Sequence, residues 1–366
     1  MIRIAHRGTP RRIALGMDRL DTRHIIVIGA SAGGVEALRQ IAAELPAGFP
    51  ASIFAVVHFP PHSTSNLPGI LSRAGPLPAV HPGNGDEIRP GTIYLAPPDR
   101  HLLVERGRVV VVQGPRENGH RPAADPLFRS AAGAYGRAVV GVVLTGNLDD
   151  GTAGLASVRR RGGAAVVQDP ADAAHPGMPS SALAEVRVDH CVPLAEIAAL
   201  LVRLTSEPLP SPDTDDEDED LRFETDIAEM VPYALHADQR PGTPSGFSCP
   251  ECHGVLWELH EGQLVRFRCR TGHAYGVETL LAEQVEQVEN ALWVAFTSLK
   301  ERAAFARKMA RKMEDRGNAF SRERFMAQAA EADARAATVR ELLRNTQPPA
   351  EAAEEAFTVG RIEGED

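Results

Sequence analysis

Residues 24–38, HIIVIGASAGGVEAL, run from an apolar segment through a glycine-rich turn into an amphipathic segment. The first part predicts a buried strand and the last part a helix, with Ser31 on the turn between them. A phosphate-binding Walker loop would need lysine followed by serine or threonine after its last glycine, but Val35 and Glu36 follow Gly34. A dinucleotide-binding turn would need glycine where Ser31 stands, so neither phosphate motif fits.

The same turn satisfies the pattern G-x-S-x-G, with Gly29, Ser31 and Gly33 between the predicted strand and helix. Small flanking residues permit a sharp bend that lifts a serine hydroxyl above the edge of the sheet. The N-terminus of the following helix offers unpaired backbone N–H groups that suit a developing oxyanion. From this stretch alone two interpretations stay open: Ser31 is a nucleophile, or it caps the helix.

Apolar segments rich in valine and isoleucine alternate with alanine- and leucine-rich helical segments up to about Thr205. This alternation predicts an α/β fold, a doubly wound and mostly parallel sheet with helices on both faces. The segment HLLVERGRVVVVQG (101–114) predicts a hairpin that turns at Arg106 and Gly107, so a mixed sheet is expected. The predicted strands are HIIVIGA (24–30), ASIFAVVHF (51–59), GTIYLAP (91–97), AVVGVVLTG (138–146) and GAAVVQD (163–169).

A serine nucleophile needs a base, and the base needs a third group to fix its tautomer. Open α/β sheets place such groups at the carboxyl ends of neighbouring strands. His58 ends one apolar strand, and Asp149 and Asp150 lie in the glycine-flanked turn after another. These positions predict His58 as the base and one of the two aspartates as its partner. Three histidines that do not end a strand cleanly compete for the role of base: His62, His120 and His175.

Five separated segments, GASAGG, VVHFPP, GTIYLAPPDRHL, RPAADPLFRS and LTGNLDDGTAGL, resemble in content and order the catalytic domain of CheB-type protein-glutamate methylesterases. The resemblance spans roughly residues 25–204. It implies a serine–histidine–aspartate triad that hydrolyses glutamate methyl esters on chemoreceptors, with glutamine deamidation in many members. It further implies Ser31 as nucleophile, His58 as general base and then acid, and Asp150 as the orienting carboxylate, because Asp150 directly precedes the glycine.

The sequence departs from the family pattern in two motifs. Asn147 and Leu148 stand where the family usually has methionine and glycine, in a loop that is a candidate oxyanion donor. Ala123 replaces a common serine. The family's usual N-terminal receiver domain also has no counterpart, so phosphorylation within this chain is not expected to control the site. No cofactor is expected for catalysis.

Composition sets the broad class of the protein. Of its 366 residues 43% are hydrophobic and 24% charged, which is typical of a folded chain with a sizeable core. A net charge of −10 argues against nucleic-acid binding. Neither a signal peptide nor a membrane span of about 20 apolar residues is evident. We therefore expect a cytoplasmic protein without membrane insertion, with disordered tails at 1–22 and 347–366 and a catalytic domain at 23–205.

The composition changes abruptly after the catalytic domain. EPLPSPDTDDEDED (207–220) combines prolines with an acidic block that cannot bury a core, so residues 206–246 are expected to form a solvated linker. From Val277 apolar residues recur at three- and four-residue steps, break near Gly317 and resume to about Arg344. This pattern predicts a helical hairpin or coiled coil over 277–346, through which the chain is expected to form an oligomer.

Three of the four cysteines cluster near the C-terminus, which indicates a metal site more than a disulfide framework. Cys249 and Cys252 form C-x₂-C, and Cys269 and His273 form C-x₃-H. Two such pairs can close a tetrahedron around zinc and leave no open position. A structural zinc in a zinc-ribbon-like module over 247–276 is therefore expected, with a redox cysteine pair or unliganded thiols as the alternatives.

The leading hypothesis is a serine esterase that acts on methylated glutamates of a chemoreceptor or receptor-like signalling protein, with a methyltransferase as a candidate partner. One alternative is a signalling adaptor that works through the zinc module and the helical hairpin. Another is a general small-ester hydrolase. The remaining cysteine, Cys191, has apolar neighbours and is expected to be buried.

Overall fold

The computed structural model describes residues 22–60, 65–209, 219–236 and 241–346. The chain divides into two compact units, residues 1–280 and 281–366. In chain order the strands are β1 (Ile25–Ala30), β2 (Ser52–Val57), β3 (Ala79–Val80), β4 (Ile93–Leu95), β5 (His101–Glu105), β6 (Arg108–Val112), β7 (Val139–Val143), β8 (Ala164–Gln168), β9 (His190–Val192), β10 (Thr243–Ser248), β11 (Val255–Glu261), β12 (Leu264–Cys269) and β13 (Ala274–Tyr275). The helices are α1 (Gly34–Glu44), α2 (Leu67–Ala74), α3 (Ala124–Tyr135), α4 (Thr152–Arg160), α5 (Gly177–Glu185), α6 (Leu194–Ser206), α7 (Glu219–Ala228), α8 (Pro232–His236), α9 (Val277–Glu314) and α10 (Ala319–Thr346). Both predicted tails fall outside the described residues, except for Thr22.

Seven strands form one sheet in the order β3-β4-β2-β1-β7-β8-β9, and every pairing in it is parallel. The chain builds outward from β1 through β2 and β4 on one side, and through β7, β8 and β9 on the other. The topological switch point therefore lies at β1, and doubly wound sheets place their sites at the carboxyl ends of the strands there. The predicted α/β class is confirmed.

Apolar side chains form a core on each face of the sheet. On one face Ile26 and Ile28 of β1 pack in a cluster with residues of α1, α2 and α6. On the other face Ile25 and Val27 pack in a cluster with residues of α3, α4 and α5. Alternate residues of β1 thus serve both cores, as expected for a parallel strand covered on two sides.

The predicted hairpin over 101–114 is present, but the expectation of a mixed sheet is wrong. β5 and β6 pair with each other in a separate two-stranded sheet. Leu102, Val104 and Val109 pack in the same cluster as Phe128 of α3, and the N–H of Val104 donates to Ser130 Oγ at 3.0 Å. The hairpin buries its apolar face on α3, so it does not join the edge of the parallel sheet.

The sequence patterns missed the two short edge strands, β3 and β9. β9 carries Cys191, which is exposed, so the expectation that this cysteine is buried is wrong. The reason is position: β9 pairs only with β8 in the sheet, and its side chains are covered less than those of the central strands.

The second half of the predicted linker is folded. Helices α7 and α8 occupy it and β10 begins at Thr243, so the expectation of a solvated linker up to residue 246 is wrong for 219–236 and 243–246. α7 buries Leu221 and Ile227, and Leu221 joins the core cluster beside α3. The acidic composition concealed this helix because only one of its faces is apolar.

A buried ion network joins α7 to α3 and β12. Glu224 pairs with Arg266 at 2.7 Å and with Arg268 at 3.0 Å. Glu117 pairs with Arg129 at 2.6 Å and with Arg268 at 3.1 Å. Burial alone would raise the pKa of both carboxyls, but the neighbouring guanidiniums hold the pKa of Glu117 and of Glu224 below its ordinary value. The charges of three separate elements thereby neutralise one another in the interior.

Strands β10 to β13 form a four-stranded antiparallel sheet that carries the three clustered cysteines. We call residues 243–276 the cysteine module. It begins four residues earlier than the module predicted over 247–276. It also belongs to the same compact unit as the parallel sheet, so it packs as part of that unit.

In the second unit, α9 and α10 form the helical hairpin that the sequence predicted. Gly317 lies between the helices with φ of 69°, in the left-handed region that favours glycine. Asp333 of α10 pairs with Lys300 and Arg307 of α9. Small side chains are buried on both helices, which lets the backbones approach closely: Ala303, Ala306, Ala310, Ala329, Ala332 and Ala336. Among the described residues, no helix is both long and apolar enough to cross a membrane.

Candidate active site

Ser31 lies on the turn between the end of β1 and the start of α1. Gly33 closes this turn with φ of 77°, a conformation that side chains disfavour. The serine N–H donates to the carbonyl of Thr145 at 3.0 Å, which ties the turn to the loop after β7. A Cβ on Gly146 would lie 2.8 Å from Ser31 Cβ. The loop after β7 can therefore approach the serine this closely only because residue 146 has no side chain. The sharp turn predicted from G-x-S-x-G is therefore present.

Three side chains from the carboxyl ends of β1, β2 and β7 form a continuous hydrogen-bonded chain. The Ser31 hydroxyl donates to Nδ1 of His58 at 3.1 Å, and Nε2 of His58 donates to Oδ2 of Asp150 at 2.7 Å. The side chains of His58 and Asp150 are only 6% and 2% exposed, so water screens their interaction weakly. In this arrangement a histidine can accept the serine proton while a carboxylate stabilises the imidazolium.

Asp150 is held by more than the histidine. Its Oδ2 also accepts the N–H of Ala124 at 2.6 Å, and its Oδ1 accepts Nδ2 of Asn118 at 2.8 Å. Burial alone would raise the pKa of Asp150, but hydrogen bonds from His58, Ala124 and Asn118 hold it well below its ordinary value. Burial and the Asp150 charge raise the pKa of the neighbouring Asp125 to about 7. Asp150 is therefore the ionised member of this carboxyl pair.

The structure separates the two aspartates of the glycine-flanked turn. Asp150 contacts His58, whereas Asp149 accepts the N–H of Glu278 at 3.0 Å and the hydroxyl of Thr279 at the start of α9. Burial raises the pKa of Asp149. Only Asp150 has the contact that an orienting carboxylate requires.

The competing histidines have other surroundings. The ring of His120 stacks on the ring of His58, with centroids 3.8 Å apart and planes 20° apart. The backbone N–H of His175 donates to Oγ1 of Thr145 at 2.9 Å, and its carbonyl accepts the N–H of Gly146 at 2.9 Å. His62 lies outside the described residues. His120 therefore covers the face of the triad histidine without reaching the serine in its place.

We expect acid to destabilise the wild-type protein more than the variant His120→Asn. Burial and the charge of His58 lower the pKa of His120 to about 4, whereas an unfolded histidine titrates near 6.5. Between pH 4 and pH 6.5 His120 binds fewer protons in the folded state than in the unfolded state. Its contribution to stability is therefore complete above pH 6.5. It is lost as the pH falls toward 4, by up to about 3 kcal/mol. Urea unfolding at pH 7 and pH 4.5 measures this difference, and an equal decrease in both proteins would contradict it.

Sequence reasoning missed the polar residues behind the triad. Asn118 is buried and has φ of 51°, and His101, also buried, donates from Nε2 to the carbonyl of Pro115 at 2.8 Å. The only local signal was the Asn118–Gly119 dipeptide, which is typical of turns and not of sites. The roles of these residues depend on contacts across the fold.

The loop with the altered family motif keeps a backbone form that favours glycine. Leu148 has φ of 62°, which costs a residue with a side chain about 1–2 kcal/mol. Ser181 Oγ donates to the Leu148 carbonyl at 3.1 Å, and the N–H of Met178 donates to the Gly146 carbonyl at 2.8 Å. Asn147 is exposed beside them. Contacts with α5 thus hold the loop at Leu148 in the left-handed conformation, at the position where the family usually has glycine.

A second cluster lies in the cysteine module, where ligand atoms of Cys249, Cys252, Cys269 and His273 all lie within 4.8 Å of one another. Cys249 Sγ is 3.5 Å from His273 Nδ1, Cys252 Sγ is 3.6 Å from Cys269 Sγ, and Cys269 Sγ is 3.6 Å from His273 Nδ1. Ligands at about 2.0–2.3 Å from a tetrahedral zinc are about 3.5–3.8 Å apart. The four residues therefore have the spacing that a zinc ion requires.

One acidic residue completes this cluster. Oε2 of Glu251 lies 3.2 Å from Nε2 of His273, the ring nitrogen that faces away from the cysteines. A carboxylate in this position fixes the tautomer that leaves Nδ1 free to bind a metal. Glu251 lies inside the C-x₂-C segment, and the spacing of the motif alone did not identify it.

A family model described as CheB methylesterase matches residues 26–201. A putative protein-glutamate methylesterase/protein-glutamine glutaminase of Leptospira interrogans is 39% identical over 180 residues, which make up 49% of this chain and 93% of the relative. The chain belongs to the CheB methylesterase family. The matched segment contains Ser31, His58 and Asp150, and the resemblance stated from the motifs is confirmed.

Other relatives match the same part of the chain. Protein-glutamate methylesterase/protein-glutamine glutaminase 3 of Anaeromyxobacter dehalogenans is 43% identical over 162 residues, which make up 44% of this chain and 47% of the relative. The chain thus spans about half the length of that relative. The crystal structure of the CheB methylesterase catalytic domain of Thermotoga maritima is 35% identical and covers 50% of this chain and 99% of its own, with a TM-score of 0.48. The cysteine module lies beyond the segment that the family model matches.

Proposed function

We propose that the chain hydrolyses methyl esters on glutamate side chains of chemoreceptors and releases methanol, with Ser31, His58 and Asp150 as its catalytic triad. The observation that carries the proposal is the hydrogen-bonded chain from Ser31 Oγ through His58 to Asp150. The names of the Leptospira and Anaeromyxobacter relatives support the substrate class. Membership of a family of hydrolases supports the reaction type.

The first half-reaction forms an acyl-enzyme. Nδ1 of His58 accepts the Ser31 proton while Oγ attacks the carbonyl carbon of the ester. The tetrahedral intermediate collapses, the bond to the methoxy oxygen breaks, and the imidazolium gives its proton to that oxygen, so methanol leaves. Asp150 stabilises the imidazolium throughout, because its carboxylate stays ionised beside the ring.

The second half-reaction uses water in place of the serine. His58 accepts a proton from water, the hydroxide attacks the acyl carbon, and Ser31 Oγ leaves with the proton that His58 returns. The product is a glutamate carboxylate. Attack on a glutamine amide would follow the same course with ammonia as the leaving group, which is the basis for proposing deamidation as a second activity. Every step uses this chain's own side chains and water.

The negative oxygen of each tetrahedral intermediate needs hydrogen-bond donors. The backbone N–H of Ala32, the residue after the nucleophile, and the loop at Asn147 and Leu148 are the donors we propose. Helix α1 begins at Gly34, directly beyond the serine turn, so its N-terminus adds positive partial charge to the same place.

The rest of the chain supplies scaffolding and contacts in this proposal. Cys249, Cys252, Cys269 and His273 hold a structural zinc ion, and their fit rests on the interatomic spacing given above. The catalytic domain over 23–205 binds a methylated chemoreceptor. A methyltransferase forms the methyl esters that this domain hydrolyses. The hairpin of α9 and α10 is the proposed oligomer contact. A reducing cytoplasm suits the free thiols of the cluster.

A comparison of substrates tests the proposed function. Methanol release from a peptide carrying glutamate γ-methyl ester is measured beside hydrolysis of p-nitrophenyl acetate, and ammonia release from the matching glutamine peptide. We expect the catalytic efficiency to be highest for the glutamate methyl ester. Efficient hydrolysis of p-nitrophenyl acetate alone would favour a general small-ester hydrolase, and no hydrolysis of any substrate would contradict the esterase assignment.

A further inference from the structure

The cysteine module touches the loop that supports the triad. β13 lies beside residues 116–118, where the N–H of Asn118 donates to the carbonyl of Ala274 at 2.7 Å. The N–H of Ala274 donates in turn to the carbonyl of Arg116 at 3.3 Å. The backbone of β13 therefore pairs directly with Asn118, the residue whose side chain contacts Asp150.

The side chain of Asn118 connects the module to the triad carboxylate. Its Oδ1 accepts the N–H of Gly276 at 2.8 Å. Its Nδ2 donates to Oδ1 of Asp150 at 2.8 Å and to Oδ2 of Asp125 at 2.9 Å. An amide nitrogen has two hydrogens, so both are used, and the bond from Gly276 fixes which way the amide faces. Asn118 is only 4% exposed, which leaves water little access to replace it.

Gly276 packs closely against Asp149, the first of the two aspartates of the turn. A Cβ at this position would lie 2.1 Å from Oδ2 of Asp149. Asp149 also accepts the N–H of Glu278 and the hydroxyl of Thr279. The end of the module and the start of α9 thus hold Asp149 directly, and they hold Asp150 through Asn118.

We propose that the cysteine module is part of the esterase site, and that Asn118, oriented by Gly276, is a positioning residue for Asp150. The proposal rests on the proposed function, because it assigns Asp150 to the triad. With Oδ1 held by Asn118, the other carboxylate oxygen faces Nε2 of His58.

The Asn118 side chain also contacts the neighbouring carboxyl group of Asp125. Asp125 and Asp150 share the amide of Asn118, which places a donor between two acidic groups. Without that amide, Oδ1 of Asp150 keeps only the longer bond from the Asp125 N–H at 3.3 Å, so the carboxylate can turn away from its position against His58. A lost hydrogen bond to a charged group in such a site corresponds to roughly a 10- to 100-fold lower kcat. Substrate binding does not use Asp150, so KM is expected to stay the same.

The test compares Asn118→Gly with Gly276→Ala. Glycine suits the φ of 51° at position 118 and keeps the backbone bonds to β13, so Asn118→Gly removes only the side chain. Gly276→Ala forces the module away from Asp149 and displaces the N–H that orients the amide. Methanol release from the glutamate γ-methyl ester peptide gives kcat and KM, and zinc content and thermal melting report whether each variant is folded.

The matched control breaks a module contact that involves neither Asn118, Gly276 nor a triad residue. Arg160 of α4 pairs with Glu261 of β11 at 2.6 Å. We expect Arg160→Gln to retain the wild-type kcat. The double variant Asn118→Gly with Gly276→Ala should lose no more activity than the stronger single variant, because both act through one amide.

A 10- to 100-fold loss of kcat with unchanged KM and zinc content in Asn118→Gly supports the proposal. A kcat within twofold of wild type would overturn it, provided that Ser31→Ala is inactive in the same assay. If Asn118→Gly does not fold, a wild-type kcat in folded Gly276→Ala overturns it equally. Equal methanol release by wild type and Ser31→Ala would instead overturn the proposed function, and this inference with it.

Discussion

Replacing Ser31 by alanine should lower methanol release from a glutamate methyl ester peptide by a factor on the order of 10⁴ to 10⁶. Among the three triad side chains, the Ser31 hydroxyl is the group that forms the acyl-enzyme. Its side-chain hydrogen bond is to His58. The folded structure should tolerate the change because alanine keeps the Cβ and the backbone bond to Thr145. Methanol is measured over time together with the thermal melting temperature.

The matched control is Ser180→Ala, on the exposed face of α5. We expect its methanol release and melting temperature to equal those of the wild type. Retained activity in Ser31→Ala, with the melting temperature unchanged, would remove the serine from the mechanism. Equal losses in both serine variants would show that the assay reports something other than the triad.

Replacing Cys249 by serine should abolish stoichiometric zinc binding and unfold the cysteine module. Cys249 is fully buried, with its sulfur 3.5 Å from His273 Nδ1, and zinc binds thiolates far more strongly than hydroxyls. Structural zinc contributes about 10 kcal/mol or more in small zinc-binding domains, so the loss should exceed that of ordinary core substitutions. Elemental analysis of the purified chain gives the zinc content, and thermal melting gives the stability.

Cys191→Ser is the control for this experiment, because Cys191 is an exposed thiol on β9, outside the cluster. It should keep one zinc per chain and the wild-type melting temperature. Full zinc content in Cys249→Ser would contradict the proposed ligand set. Zinc-free wild-type protein, purified without chelator, with a melting temperature that added zinc does not change, would contradict the metal site itself.

The strands that were predicted correctly are those with the strongest local pattern. β1, β2, β7 and β8 are mostly apolar and buried along their whole length, because the parallel sheet is covered on both faces. The edge strand β9 has three residues and a mixed pattern, so its pairing with β8 decides that it forms. Helix α7 was missed for a related reason: its buried Glu224 looks like linker sequence until the arginines of β12 are placed beside it.

The residues of the candidate site also fall into a part that sequence position predicts and a part that it does not. Ser31, His58 and Asp150 follow strands, and strand ends in a parallel sheet meet at one edge, so sequence position could bring them together. Asn118 and Gly276 are 158 residues apart in the chain, and nothing local links a turn asparagine to the glycine after a cysteine cluster. Their contact depends on how the cysteine module packs against α3 and the triad loop. Arg268 of the module and Glu117, the residue before Asn118, form a buried ion pair at 3.1 Å across this contact.

Activation of Ser31 by His58 is tested most directly by covalent labelling with an organofluorophosphonate followed by peptide mass spectrometry. The reagent reacts with a serine only when a neighbouring base removes its proton. We expect one adduct per chain, located on Ser31, loss of methanol release in proportion to labelling, and no labelling of the variant His58→Gln. Methanol release that continues with Ser31 unlabelled, or an adduct on a different serine that abolishes activity, would contradict the proposed triad.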